Sequence, residues 1–252
     1  MHSKRKAKML QSIKQLYGDK LGAYDGEIGH VTDFYFDDRH WTIRYVVADT
    51  GTWIPGRSVL LSPHAFDQFP QSGKVLPVNL ARKQIEDSPA METHKPVSRQ
   101  YEEEYYRYYN WPFYWRGNEV WGMSGFPIIS EKSKPFRGEP PTKGGAKPAG
   151  PDAHLRSTRD VIGYQIQTGD EIVGFVTDFM MDDKSWKICH LVINTGNRFS
   201  ENKVLLSSSQ IDRISWDESK LYANVSKETI MGMPAGDSPG HVSDAEKKPL
   251  LL

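Results

Sequence analysis

The sequence predicts an all-β protein made of two homologous small β-barrels with short helical turns, joined by an aromatic-rich linker. The phrase VTDFYFDD at residues 31–38 returns as VTDFMMDD at residues 176–183, and the match runs without a gap from Gly29/Gly174 to Pro89/Pro234. Each copy also holds several short runs rich in β-branched and aromatic residues, separated by turn residues. Self-similarity at one fixed spacing indicates that each copy is one folding unit.

The repeat divides the 252 residues into five parts. We expect a basic tail at residues 1–9, a first barrel at 10–89 and a second barrel at 154–234. Between the barrels, residues 90–153 hold an aromatic-rich segment followed by a flexible Pro/Gly/Lys-rich linker. Residues 235–252 are expected to form a solvated tail.

Composition excludes several classes of protein. The 32 Lys and Arg residues balance 32 Asp and Glu residues, so bulk charge does not attract nucleic acid or an anionic membrane. No apolar run approaches the ~20 residues that span a bilayer, and the N-terminus lacks the apolar stretch of a secretory signal. We therefore expect a cytoplasmic protein. Because Cys189 is the single cysteine, a disulfide framework and a thiolate zinc cluster are excluded, and its strand-like surroundings predict an unreactive core thiol.

Each copy is predicted to open with a short helical turn. Ser12 and Ser157 each begin a capping-box-like pattern, S-x-x-Q in the first copy and S-x-x-D in the second. Gly18 and Gly163 can end these turns. The runs that follow, EIGHVTDFYF and EIVGFVTDFMM, read as strands, and the returning runs IRYVVADTG and ICHLVINTG complete a hairpin in each copy.

The paired aspartates at the hairpin turns have two possible roles. Asp37 and Asp38, like Asp182 and Asp183, lie where the chain reverses, and Asp side chains there bond nearby backbone N–H groups. The alternative is a divalent-cation site, since carboxylates suit Ca²⁺ or Mg²⁺. Neither loop supplies the spaced oxygen ligands of an EF-hand, which favours the turn reading.

Asp33 and Asp178 differ from the turn aspartates because they interrupt apolar strands. We expect them to receive backbone hydrogen bonds at a bend. A second strand-rich segment follows in each copy, with RSVLLSP or NKVLLSS as a strand, an excursion (HAFDQF or SQIDRI), a further strand and a helical turn. The residues expected to determine the fold are Gly29, Asp33, Trp41, Gly51, Gly174, Asp178, Trp186 and Gly196.

The order of these motifs resembles the PRC-barrel domain family. The shared pattern is G-x-V-x-D-[FL], an acidic turn, a return strand ending in [D/N]-T-G, then [R/K]-V-L-L-S and a short helix ending in Pro, over residues 10–89 and 155–234. The family includes the cytoplasmic barrel of the photosynthetic reaction-centre H subunit and the C-terminal barrel of a ribosome maturation factor. The resemblance implies a tandem, bacterial binding or scaffold module with no shared catalytic residues.

The segment between the barrels is unusually aromatic: residues 101–126 hold 11 of the 29 Phe, Trp and Tyr residues of the chain. It can dock on one or both barrels and complete their cores. It can instead form an exposed patch that recognises a protein partner or another copy of the chain, or a stacking platform for single-stranded nucleic acid or a sugar surface. The candidate partner-binding residues are Tyr109, Trp111, Phe113, Tyr114, Trp115 and Trp121.

Taken together, these patterns predict a non-catalytic binding or scaffold protein, such as an adaptor or assembly factor. No nucleophile, P-loop, zinc or dinucleotide motif is present, so we assign no catalytic, cofactor or metal residues. A ribosome-assembly or RNA-associated factor and a soluble subunit of a photosynthetic complex are the alternatives. We expect a protein partner, with homodimerisation and peripheral association with a membrane complex left open, and no nucleic acid.

Overall fold

A computed structural model of the protein describes residues 9–51, 54, 58–66, 75–89, 97–128, 155–196 and 201–236. Most of the predicted basic tail, the Pro/Gly/Lys-rich linker and most of the C-terminal tail therefore lie outside the described residues. Within these ranges, no helix has the length and apolar character that a membrane span requires.

The first half consists mainly of short strands. Its elements, in chain order, are β1 (Leu10–Ser12), a 3-10 helix (Lys14–Leu16), β2 (Lys20–Ala23), β3 (Gly26–Asp37), β4 (Thr42–Asp49), β5 (Ser58–Leu61), a 3-10 helix (Pro63–Ala65), β6 (Leu76–Pro77), α1 (Arg82–Glu86) and α2 (Arg99–Tyr109).

The second half has a similar order, with Ile211–Ser215 as an additional strand and without a counterpart of α2 among the described residues. Its elements are β7 (Leu155–Ser157), α3 (Thr158–Val161), β8 (Gln165–Thr168), β9 (Glu171–Asp182), β10 (Ile188–Asn194), β11 (Lys203–Ser207), a 3-10 helix (Ser208–Gln210), β12 (Ile211–Ser215), β13 (Lys220–Ala223) and α4 (Lys227–Met231). The ends of β7, β8, β9 and α4 match those of β1, β2, β3 and α1 at the constant spacing that separates Leu10 from Leu155. These four elements therefore recur at the spacing of the sequence repeat.

The strands form two sheets, with the orders β5-β4-β3-β2-β6 and β11-β10-β9-β8-β13-β12. β3 pairs antiparallel with β4, and β9 pairs antiparallel with β10, so both predicted hairpins are present. β6 runs parallel to β2, and β13 runs parallel to β8. The all-β class is confirmed.

Neither sheet closes into a barrel through hydrogen bonds within the described residues. In the second half, β11 and β12 stand at opposite ends of the strand order, yet only the 3-10 helix Ser208–Gln210 separates them in the chain. The sheet must therefore curl until its two edges meet at that helix. The SQIDRI stretch, expected to be an excursion, contains the strand β12 because Ile211–Ser215 pairs with β13.

The two halves exchange their first strands. β1 pairs antiparallel with β9, where Gln11 faces Met181, and β7 pairs antiparallel with β3, where Arg156 faces Phe36. Each half therefore completes the sheet of the other half. The sequence suggested two self-contained units, and this exchange is a feature that it did not predict.

Asp33 and Asp178 form hydrogen bonds to the exchanged strands. Each carboxylate accepts the N–H of the next residue at 2.7 Å, as predicted for a bend. Each also accepts a hydroxyl from the donated strand, Ser157 for Asp33 and Ser12 for Asp178. Backbone N–H groups just after those strands donate as well, from Arg159 at 3.2 Å and from Lys14 at 2.9 Å. These carboxylates thus bind the other half of the chain, which the sequence did not reveal.

A local two-fold relation joins the hairpin ends of the two halves. Ile43 N–H donates to the Trp186 carbonyl at 2.9 Å, and Ile188 N–H donates to the Trp41 carbonyl at 2.7 Å. Both tryptophans have positive φ, 52° and 59°. One hydrophobic core runs through both halves. The contact has the self-complementary pattern of a symmetric homodimer, built within one chain.

Two predicted fold-determining glycines lie where strands come very close. A methyl group built on Gly29 would lie 1.9 Å from the Asp49 carbonyl oxygen, and one on Gly174 would lie 2.3 Å from that of Asn194. No side chain fits at either position without a backbone shift. The repeated glycine therefore encodes close strand packing.

The turn aspartates behave as the turn reading predicts. One oxygen of Asp37 accepts the N–H of Arg39 at 2.9 Å, and one oxygen of Asp182 accepts the N–H of Ser185 at 2.8 Å. Both side chains thus stabilise the reversal of the hairpin.

Candidate functional site

Helix α2 is the first part of the aromatic segment, and it packs on the first sheet. The hydroxyl of Ser98 caps its N-terminus by accepting Tyr101 N–H at 3.2 Å, and Asn110 ends it in the left-handed conformation at φ 57°. Its tyrosines bind the outer strand of the sheet. Tyr105 donates its hydroxyl to the Leu60 carbonyl at 2.8 Å and accepts Ser62 N–H at 3.1 Å.

The buried face of this helix carries a carboxylate. Glu102 is fully buried, and its Oε1 accepts the hydroxyls of Tyr45 and Tyr114, both at 2.8 Å. Its Oε2 lies 2.9 Å from Arg99 Nη1. Burial, followed by the neighbouring Glu102 charge, raises the pKa of Tyr45 and of Tyr114 well above the ordinary value. The two phenols therefore remain hydrogen-bond donors to the carboxylate.

Residues 111–128 continue from α2 as an ordered loop, which we call the aromatic loop. Trp121 is fully buried and donates its indole N–H to the Ser185 carbonyl of the second half at 2.9 Å. Within the loop the backbone crosses itself closely, because a methyl group on Gly117 would lie 2.2 Å from the Gly122 carbonyl oxygen. The loop therefore has a fixed base that touches both halves.

Arg44 anchors the loop to β4. Its side chain is 1% exposed, and its Nη1 donates to the Val120 carbonyl at 2.7 Å while its Nη2 donates to Asp37 Oδ2 at 3.0 Å. The guanidinium also lies 3.9 Å from the centre of the Tyr114 ring. Burial acts to raise the pKa of Asp37, but Arg44 and His40 outweigh it and hold that pKa below its ordinary value.

A cleft of about 300 Å³ separates the first hairpin turn from the aromatic loop. Asp37, Arg39, His40 and Arg44 line one side, and Arg99, Trp115 and Glu119 line the other. Two of its arginines are paired, Arg44 with Asp37 and the partly exposed Arg99 with the buried Glu102. The cleft is polar without a strong excess of either charge. Within the described residues, no three His, Cys, Asp or Glu side chains group together as metal ligands.

His64 completes the packing under the aromatic loop. It is 1% exposed, stacks on Trp111 and meets the edge of Trp121, and its Nδ1 lies 2.8 Å from the Ile128 carbonyl oxygen. Burial lowers the pKa of His64 to about 4. The imidazole is therefore neutral at physiological pH.

The structure divides the six predicted partner-binding residues. Phe113 and Trp115 are half-buried, with their rings 4.9 Å apart. The remaining four are buried, which matches the docking alternative: Tyr109, Trp111, Tyr114 and Trp121. A partner can therefore touch Phe113 and Trp115 directly, and for these two residues the partner-binding role remains a prediction.

Sequence reasoning missed three exposed apolar residues of the aromatic loop. Met123 is 83% exposed, Phe126 61% and Ile128 46%. The signal was present in the run MSGFPI, where large apolar residues stand among small ones that offer them no core. We call Phe113, Trp115, Met123, Phe126 and Ile128 together the apolar surface of the loop.

Comparison with known proteins bears on the second half. Residues 154–230 match the family model of the PRC-barrel domain, a range that runs from the start of β7 into α4. Among curated proteins, no match to the chain is found.

Proposed function

We propose that this chain, which carries a PRC-barrel domain at residues 154–230, is a non-catalytic binding or scaffold protein that acts in the cytoplasm as an adaptor or assembly factor. The domain suggests a binding or scaffold role in general terms. We treat the first half as a second barrel of the same type, because its elements repeat those of the matched range. The observation that carries the proposal is the apolar surface of the aromatic loop.

That surface has the properties of a protein-binding site. Met123 and Phe126 project from a loop whose base is held by the buried Trp121 and by Arg44. A fixed base lowers the entropy that binding would cost, and exposed aromatic and Met side chains are enriched at interfaces. We therefore assign the contact to this loop.

The neighbouring cleft supports a protein as the partner. Its charged side chains give the apolar surface a polar rim, which is the usual arrangement of protein interfaces. A nucleic-acid site would need an excess of positive charge. Of the three arginines that line the cleft, Arg44 is paired with Asp37 and Arg99 with Glu102, which reduces that excess.

Affinity purification with substitutions in the loop tests the proposal. We compare the full-length tagged protein with the Met123→Ser/Phe126→Ser variant, using quantitative mass spectrometry of the proteins recovered from the native cell. Because both side chains are more than half exposed, the variant keeps its fold. We expect at least one partner to be enriched with the parent protein and lost with the variant.

The matched control is Ile172→Ser/Phe175→Ser, which alters two exposed apolar residues of β9 in the other half. This control is expected to recover the same partner as the parent protein. Equal recovery by all three proteins contradicts the assignment to the loop. Recovery of ribosomal proteins and rRNA would support the ribosome-assembly alternative instead.

A further inference from the structure

The inference concerns the cleft between the first hairpin turn and the aromatic loop. It rests on the proposed function, because the protein partner of the apolar surface is the molecule that would reach this cleft. The two sites are continuous, since Trp115 lines the cleft and also belongs to the apolar surface. The cleft encloses about 300 Å³, which is enough space for a single side chain of a partner.

The charges around the cleft are arranged in two layers. The acidic partners of Arg44 and Arg99 lie inside, since Asp37 is 7% exposed and Glu102 is fully buried. The basic side chains at the entrance reach solvent, because Arg39 is exposed and the side chain of Arg99 is 26% exposed. The Coulomb energy falls with distance, so an anion at the entrance interacts more strongly with these guanidinium groups than with the carboxylates behind them. The entrance therefore favours a hydrogen-bond acceptor.

Arg99 is held in one orientation at this entrance. Its Nη1 lies 2.9 Å from Glu102 Oε2, and its guanidinium lies 4.3 Å from the centre of the Trp115 ring. A guanidinium carries several N–H donors, so it can bond Glu102 and a second carboxylate at the same time. Because the side chain is already oriented, binding costs little further side-chain entropy. Arg99 is thus prepared to bind an acidic group of a partner.

Arg39 and Glu119 set the net charge that a ligand meets on entering. Arg39 belongs to the first hairpin turn, where Asp37 accepts its backbone N–H at 2.9 Å, and Glu119 lies on the opposite wall. Both side chains are exposed. At the entrance, the two arginines Arg39 and Arg99 therefore stand against one carboxylate, Glu119. This small surplus suits a carboxylate better than a phosphate group, which carries nearly twice the charge.

We propose that the cleft binds the side-chain carboxylate of a Glu or Asp residue of the protein partner, with Arg99 and Arg39 as the hydrogen-bond donors. Apolar residues next to that acidic residue contact the apolar surface of the loop. Trp115 joins the two contacts, because Arg99 stacks on its ring. The partner is therefore a segment in which an acidic residue and large apolar residues are neighbours.

Peptide probes and the full-length protein test the proposal. We measure Kd by NMR titration for two acetylated and amidated peptides, Leu-Glu-Phe and Leu-Gln-Phe, which differ in the charge of the central side chain. The glutamate peptide is expected to bind about tenfold more tightly, because its carboxylate forms charge-assisted hydrogen bonds with arginine.

Two substitutions of exposed residues at the entrance should change this ratio in opposite directions. Arg39→Gln removes a donor and is expected to lower the preference for glutamate about threefold, whereas Glu119→Gln removes the opposing charge and is expected to raise it about threefold. The matched control is Lys184→Gln, an exposed residue at the position of Arg39 in the second-half turn that does not line the cleft. This control is expected to keep the parent ratio.

Equal affinity of the parent protein for the two peptides, or no detectable binding of the glutamate peptide, overturns the proposal. A tighter complex with Leu-phosphoserine-Phe overturns it by assigning the cleft to phosphate. A tighter complex with Leu-Gln-Phe that has a free C-terminus overturns it by assigning the cleft to a chain end. Failure of the proposed function is a separate result, because it is measured with Met123 and Phe126, which do not line the cleft.

Discussion

At the scale of single residues, buried polar groups decide how the aromatic segment holds to the first half. Glu102 is fully buried, accepts two tyrosine hydroxyls and pairs with the partly exposed Arg99. A buried charge of this kind is tolerated only while its partners remain in place. Removal of the carboxylate leaves Tyr45 and Tyr114 without their acceptor.

We therefore expect Glu102→Ala to lower the free energy of unfolding by ~3 kcal/mol, measured by urea denaturation. The control is Glu104→Ala, which removes an exposed carboxylate of the same helix and is expected to change stability by less than ~0.5 kcal/mol. Similar losses in the two variants would show that helix propensity, and not the buried network, dominates.

The pH dependence of stability tests the buried imidazole. His64 has a pKa of about 4 in the folded protein and 6.5 as the ordinary value. Between these values the unfolded chain binds the extra proton, so stability is complete above pH 6.5 and falls as the pH drops towards 4. The loss from this group approaches ~3 kcal/mol.

The measurement is the unfolding free energy of the parent protein and of His64→Gln at pH 7 and pH 4.5. We expect a smaller loss between the two pH values in the variant, because glutamine does not titrate in this window. An identical loss in both proteins would assign the acid sensitivity to carboxylates alone.

At the scale of elements, the strand exchange predicts that a substitution in one half changes the stability of the sheet in the other half. Proline cannot donate a ladder hydrogen bond, so Gln11→Pro disrupts the pairing of β1 with β9. We expect faster amide hydrogen exchange at Met180–Asp182 of the second sheet, although the substitution lies in the first half. Arg156→Pro in β7 is the reciprocal change, and it is expected to act on Tyr35–Asp37 of the first sheet.

Gln11→Ala keeps the backbone donor and serves as the control, with little change in exchange expected. If Gln11→Pro accelerated exchange only within the first sheet, the strand exchange would be contradicted.

Some of the secondary-structure elements could be predicted from the sequence, and others could not. The hairpins β3–β4 and β9–β10 and the capped turns after Ser12 and Ser157 were predictable, because strand alternation and capping are local signals. The destination of β1 was not, since three residues carry no information about which sheet they join. Similarly, the sequence of the aromatic loop does not indicate whether Trp121 or Met123 is buried, because the burial of each side chain depends on where the backbone turns.

At the scale of the whole molecule, strand exchange and the shared core bind the two halves into one body. We expect the halves to stay together when the linker is cut, after insertion of a protease site within residues 139–149. The fragments should elute as a single 1:1 complex in size-exclusion chromatography, with the mass confirmed by native mass spectrometry. Separate elution under native conditions would contradict the interlocked arrangement.

The reciprocal exchange also sets an order of events during synthesis. Leu10 leaves the ribosome about 170 residues before its partner Asp182, a delay of roughly 10–30 s at usual translation speeds. Throughout that interval β1 has no strand to join, and the edge of β3 awaits Leu155–Ser157. The nascent first half is consequently an unfinished sheet, and it is the form of this protein that a ribosome-associated chaperone would encounter.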